Sequence, residues 1–224
     1  MIKNSYGHLR HIVQSARRER ALASVVYVLG EIVNLVRGRL SAMTVGWKYS
    51  HLGSGSKVLG SKYIFIGKHA SIKRQAWIEA ISSYQTQTFS PTIKIGQKFF
   101  ASESLHISAI NKIEIGDNCL FGSGVYISDH NHGVYKGDVQ SSPLEPPILR
   151  KLVSFGSVTI GSNVWLGDNV IIVGPVNIGN GVIVGANSVI TKDIPEHTMV
   201  AGSPIKILKY FNDERKRWEK HGSS

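Results

Sequence analysis

From Ile160 onward the chain divides into six-residue units: IGSNVW, LGDNVI, IVGPVN, IGNGVI, VGANSV and ITKDIP. This repeat constrains the fold more than any other feature. Ile160, Leu166, Ile172, Ile178, Val184 and Ile190 open the units. Four residues after each of the first five comes a second small or branched residue: Val164, Val170, Val176, Val182 and Ser188. The same frame holds upstream at Ile66, Ile72 and Ile78 with Ala70 and Ala76, and at Ile115, Phe121 and Ile127 with Cys119 and Val125. It is looser at Ile95, Ala101 and Ile107, and it breaks near residues 82–94 and at 128–157.

A period of six matches neither a 3.6-residue helix nor a plain alternating strand. It fits short parallel strands, each ending in a turn, that wind into a triangular prism of about 18 residues per coil, with coils stacked at ~4.8 Å. The aliphatic residue and its partner four positions on face inward, and Gly, Asn and Asp supply the turns. A β-sandwich would instead show alternation with irregular turn spacing. The 23 glycines exceed the usual ~7%, and the 224 residues suffice for a core. A single cysteine excludes a disulfide scaffold and suits a reducing compartment. Cys119 lies at an inward position and is read as a small core residue.

The net charge of +11 is concentrated at the ends, with seven Lys/Arg against two acids in residues 1–45 and six against three in 205–224. No zinc-finger spacing or aromatic RNP-type motif accompanies it, so no nucleic-acid partner is expected. An anionic ligand or membrane surface suits such ends. Residues 16–45 read as helix, weakened by Gly30 and Gly38. Their apolar stretch, Ala21 to Val36, is shorter than the ~20 residues of a bilayer span. Two roles stay open: packing on the first coil or a neighbouring subunit, or an amphipathic membrane-surface helix with Arg17, Arg18 and Arg20 at the headgroups. No secretory signal is read at the N-terminus. Residues 207–221 read as a short basic helix, and either end would cap the strand edges of the solenoid.

The break at 128–157 contains SDHNHGVYKGDVQSSPLEPPILRKLVSF, including Pro143, Pro146 and Pro147 and the close histidine pair. A long excursion from a regular solenoid signals function. An imidazole with a pKa near 6.5 can accept a proton from a poorly nucleophilic hydroxyl. Asp129 reads either as a carboxylate orienting one ring or as a turn residue. Trp165 falls at an outward position, where an indole suits ligand contact or subunit packing. His106 is also outward, beside the inward Ile107. Lys192, Lys206 and Lys209 lie near one end of the stacked coils, where an extended groove would end in cations.

The repeats and their closing AGSPIKILKYF resemble the hexapeptide-repeat acyltransferases over about residues 46–210, most strongly over 111–210. The resemblance implies an all-β, left-handed parallel β-helix over residues 46–206 carrying the inserted loop 128–157, preceded by a helical segment at 1–45 and followed by a C-terminal helix and tail at 207–224. ISDHNHGVYKGD is similar to the maltose, galactoside and bacterial polysaccharide O-acetyltransferase branch, polysialic acid O-acetyltransferases included. That branch has a histidine five residues after the last inward aliphatic before the insertion. Counting from Ile127 makes His132 the expected general base, with His130 the alternative. It also implies Trp165 beside the thioester, and coenzyme A contacts from Ala186, Thr191, Lys192, Lys206 and Lys209.

By the same resemblance the co-substrate is acetyl-CoA, no metal is needed, and the acceptor is a carbohydrate hydroxyl, as in a capsule or other surface polysaccharide. The protein would be a cytoplasmic homotrimer with sites between subunits, with peripheral inner-membrane contact through residues 16–45 left open. Competing readings are an N-acetyltransferase on an amino sugar or nucleotide sugar, a drug-inactivating acetyltransferase, and a γ-carbonic-anhydrase-like enzyme, which needs three histidines around zinc.

Overall fold

The structure, a computed structural model, describes residues 21–220. One helix, α1 (Ala21–Thr44), leads into a parallel β-helix with three faces. Face A has nine strands, face B six and face C five. The stacking register follows the hexapeptide frame. Ile160 lies against Ile178, Leu166 against Val184, and Ile172 against Ile190. Further back, Ile107 meets Ile127 and Ala101 meets Phe121.

The inward positions are buried as the frame predicts, apart from the partly buried Ile66. Ile72, Leu105, Phe121, Val125, Ile127, Leu166 and Val170 are at most 1% exposed. Each such side chain sits on its equivalent one coil away, so the core is a continuous column rather than a globule. Cys119 is part of this core at 1% exposure, and burial pushes its thiol pKa up.

The turns use glycine in two ways. Asn118, Asn163, Asn169 and Asn187 carry positive φ angles near 57°, and Gly124 and Gly181 carry them at other corners. Gly167 carries no positive φ; a Cβ there would stand 2.6 Å from the backbone nitrogen of Ala186 on the next coil. Its missing side chain gives clearance between coils instead of left-handed backbone. Aspartates close the same corners, with Gln97 N donating to Asp117 Oδ1 (2.8 Å) and Ser123 N to Asp168 Oδ1 (2.7 Å).

At the N-terminal end, Ala42 and Trp47 plug the prism. The His51 ring lies against Gly38 of α1, where a Cβ would overlap it. Gly38 thus weakens the helix locally but allows it to dock. The expected membrane-facing Arg17, Arg18 and Arg20 lie outside the described residues.

The C-terminal end corrects the sequence reading. Instead of a helix over 207–221, Lys206–Asn212 and Arg217–Lys220 form an antiparallel hairpin that extends face A beyond Thr198–Ala201. The segment KILKYFN alternates in exposure as a strand does. Phe211 and Trp218 pair edge-to-face across it at 5.4 Å, and Asn212 Oδ1 closes the turn by accepting from Glu214 N and Arg215 N. The open edge of Thr198–Ala201 offers unpaired backbone groups, which a helix could not satisfy and a strand can.

Candidate active site

Both interruptions of the repeat leave the prism at the edge between faces B and C. The first forms a small hairpin, Ser83–Tyr84 with Gln87–Thr88. The second, residues 129–157, begins after Tyr126–Ser128 and carries its own antiparallel pair, Asn131–His132 with Leu152–Val153. The hairpin braces the longer loop. Gln87 Nε2 donates to Leu152 O (3.0 Å) and its Oε1 accepts from Leu152 N (2.8 Å). Tyr84 Oη donates to Ile148 O (2.5 Å). With Gln85 Nε2, which also donates to Ile148 O (2.7 Å), three polar side chains fix the backbone of a loop that carries three prolines.

Asp129 is buried at the root of this loop. Its Oδ1 accepts from Ile110 N (3.0 Å), and its Oδ2 accepts from Asn111 N (2.9 Å) and Lys112 N (2.7 Å). Those three amides form the tight corner of the preceding coil, so the carboxylate ties two coils together. The same Oδ1 lies 3.1 Å from His130 Nδ1. Ser128 Oγ accepts from His130 N at 3.2 Å and stands 3.3 Å from Nδ1. One carboxylate thus closes the corner of the preceding coil and also contacts the His130 ring. With Nδ1 held by the carboxylate, His130 Nε2 is left to accept a proton.

His132, which the family resemblance singled out, is exposed. Its ring meets Tyr84 edge-on at 5.4 Å, with Nδ1 3.5 Å from Tyr84 Oη, and it has no carboxylate partner among the described residues. His106 lies outward on face B, stacked on Trp77 at 4.8 Å and edge-on to Tyr126 at 5.0 Å. Burial holds its pKa below the ordinary value, opposed by Glu79 and reinforced by His130. No group of three metal-ligating side chains occurs among the described residues.

Trp165 is half exposed on face A, at 50%. It belongs to an outward ladder running Phe100, Leu120, Trp165, Ile183, Met199 and then Lys209. The path from the indole to the ammonium crosses three strand spacings, roughly 14 Å. Ala186 sits in an exposed turn at the edge between faces A and B, and Lys206 pairs with Ala201 at that same edge. Thr191 and Lys192 are exposed at the opposite edge of face B. A cleft of about 560 Å3 runs between α1 and the A–B edge, lined in part by Tyr27, Asn34, Ser54, Lys73, Phe100 and Ser102.

The predicted site residues thus fall into separate groups. The histidines and Thr191–Lys192 lie on the B–C edge, Trp165 and Lys209 on face A, and Ala186, Lys206 and the cleft on the A–B edge. One protomer does not bring the imidazole and the indole together. Sequence reasoning missed Tyr84, Gln87 and the orienting role of Ser128. The signal available was that both interruptions follow face-B strands, so they emerge from one edge.

Comparison with known proteins places this geometry in context. Residues 157–192 match the bacterial transferase hexapeptide (six repeats), and residues 112–135 match the hexapeptide repeat of succinyl-transferase. The chain is 50% identical over 120 residues to the putative lipopolysaccharide biosynthesis O-acetyl transferase WbbJ of Escherichia coli, covering 53% of this chain and 61% of that protein. It is 30% identical over 185 residues to the galactoside O-acetyltransferase of Escherichia coli, covering 80% of this chain and 82% of the relative. Among solved structures, a variant of AntD, an N-acyltransferase from Bacillus cereus, aligns with a TM-score of 0.61 at 19% identity over 75% of this chain and 84% of its own. The shared fold is the left-handed parallel β-helix.

Proposed function

Because the chain belongs to the hexapeptide-repeat acetyltransferases, we propose that it transfers acetyl from acetyl-CoA to a carbohydrate hydroxyl, with an imidazole of the 129–132 turn as general base. The hydrogen-bonded set Ser128–Asp129–His130 carries this reading. His130 Nε2 takes the proton of the acceptor hydroxyl as its oxygen bonds to the thioester carbonyl carbon. The carbon–sulfur bond then breaks, and the imidazolium returns the proton to the departing thiolate. Asp129 holds the ring and stabilises its charged form during the exchange. The electrons and protons balance without a metal or a covalent enzyme intermediate.

The co-substrate fits what face A offers. A pantetheine arm is long and narrow, and the Trp165–Ile183–Met199 ladder is an apolar strip ending at Lys209, where a phosphate would be neutralised. Lysine supplies charge there without the bidentate fork of arginine. The cleft beside α1, with hydroxyl, amide, carboxylate, ammonium, guanidinium and aromatic groups, suits a sugar. Because these groups lie on different edges of one prism, the working site forms between protomers, as in a homotrimer in which the loop of one subunit meets face A of the next. The WbbJ likeness favours a surface polysaccharide or its precursor as acceptor.

The test is thiol release from acetyl-CoA against a panel of glycans, with His130→Ala and His132→Ala in parallel. Loss of a general base costs about 10²- to 10⁴-fold. The expected result is a loss of that size at His130 and a smaller one at His132. The reverse order would transfer the role to His132. Full activity in both variants would remove the mechanism, and an alkali-stable amide product would replace O- with N-acetylation.

A further inference from the structure

We infer that α1 docks this protein on an anionic lipid surface, independently of the reaction proposed above. The helix packs on the prism through Val28, Glu31, Leu35, Gly38 and Ala42, which are half-buried or buried. Its other side presents a second apolar stripe. Val25, Leu29, Ile32, Val36, Leu40 and Met43 are 41–58% exposed and fall on one side of the helix, at spacings of three or four. With Val26 and Val33 the stripe spans an arc of about 120°. No helix among the described residues is long and apolar enough to cross a membrane. An exposed apolar stripe of this kind can lie in the plane of a bilayer surface.

The charges around the stripe select the occupant. Arg37 and Arg39 are exposed and flank it on opposite sides. Between residues 32 and 78 the chain has eight Lys/Arg and no Asp or Glu. Among the described residues, Arg74 alone of these is bonded to an acid, Glu103. Lys48, Lys57, Lys62 and Lys68 stand exposed on the first coil. Lys48 and Lys68 both lie over the ring of Tyr49, itself 48% exposed. A second copy of the helix docked on the stripe would set arginine against arginine, whereas helix pairing favours opposite charges at the flanks. Anionic headgroups meet the arginines and receive the apolar side chains beneath them.

The experiment is co-sedimentation of the full chain with vesicles of phosphatidylcholine and phosphatidylglycerol in equal parts, against vesicles of phosphatidylcholine alone. The expected result is partition onto the mixed vesicles that falls with added salt. Leu29→Asp with Val36→Asp should lower that partition at least about tenfold. Arg37→Ser with Arg39→Ser should lower it roughly fivefold per residue. All these side chains are exposed, so the melting temperature should not move; if the aspartates unfold the chain, serine at the same positions replaces them. The inference is overturned if the protein ignores mixed vesicles, binds both kinds equally, or binds undiminished in both variant pairs. It is likewise overturned if the apolar pair lowers the mass in light scattering and leaves partition unchanged, because the stripe then belongs to a second copy.

Discussion

Replacing Asp129 by Asn tests the claim that one buried carboxylate both closes a coil and aims the catalytic ring. The carboxylate accepts three backbone N–H bonds at 2.7–3.0 Å and contacts His130 Nδ1 at 3.1 Å. An asparagine keeps one acceptor oxygen. Whichever way the amide turns, its NH2 faces either Ile110 N and His130, or Asn111 N and Lys112 N. Hydrogen bonds to a charged group contribute about 1.5–3 kcal/mol each. Losing one or two and opposing donor to donor should therefore cost about 3–5 kcal/mol. For a chain of this length that lowers Tm by roughly 10 °C. His130→Ala leaves all three N–H bonds intact, so it should hold Tm within roughly 3 °C while lowering turnover about 10²- to 10⁴-fold. Urea or thermal unfolding followed by circular dichroism, beside a thiol-release assay, separates the two. If Asp129→Asn unfolds within about 1 kcal/mol of the parent, the coil-closing role is wrong. If it keeps full turnover, the ring-orienting role is wrong.

Trp165→Ala should raise the KM for acetyl-CoA by about 10-fold with little change in Tm, because the indole is half exposed and outside the core; an unchanged KM would assign the residue to subunit packing alone. Gly38→Ala should destabilise by about 1–3 kcal/mol despite the better helix propensity of alanine, since its Cβ meets the His51 ring; a gain in urea midpoint would contradict the docking described for α1. Burial holds both His51 and His106 below the ordinary 6.5. The unfolded chain then binds protons first, so their contribution to stability is full above that value and is lost as pH falls below it. Urea midpoints should fall between pH 7 and pH 5, and His106→Gln should flatten part of that slope. Glu114, whose pKa is lowered mainly by its hydrogen bond to Lys112, adds a loss only at more acidic pH.

The prism was legible because a hexapeptide frame couples each side chain to the residue one coil away. Ile160 and Ile178, or Leu166 and Val184, meet through periodicity alone. The asparagines at positive φ follow from local backbone preference in the same way. The roles of His130 and His132 were not legible in that manner. The family resemblance favours His132, while the ring with a carboxylate partner is that of His130, one residue along from Asp129. That pairing depends on the corner formed by Ile110, Asn111 and Lys112, which only the winding of the chain brings under the loop. Tyr84 and Gln87 reach the loop for the same reason, across a long stretch of intervening chain.

The C-terminal segment shows the division clearly. KILKYFN is too short for periodicity to separate helix from strand, and the open edge of Thr198–Ala201 decided it by offering backbone partners. Order along the chain therefore determined the three-sided column and its buried ladder, because each unit specifies its own turn and its own inward residues. Which loop atoms touch, how the hairpin caps face A, and how α1 presents its second stripe were decided by the assembled prism, because those contacts join residues that share an edge in space but no period in sequence.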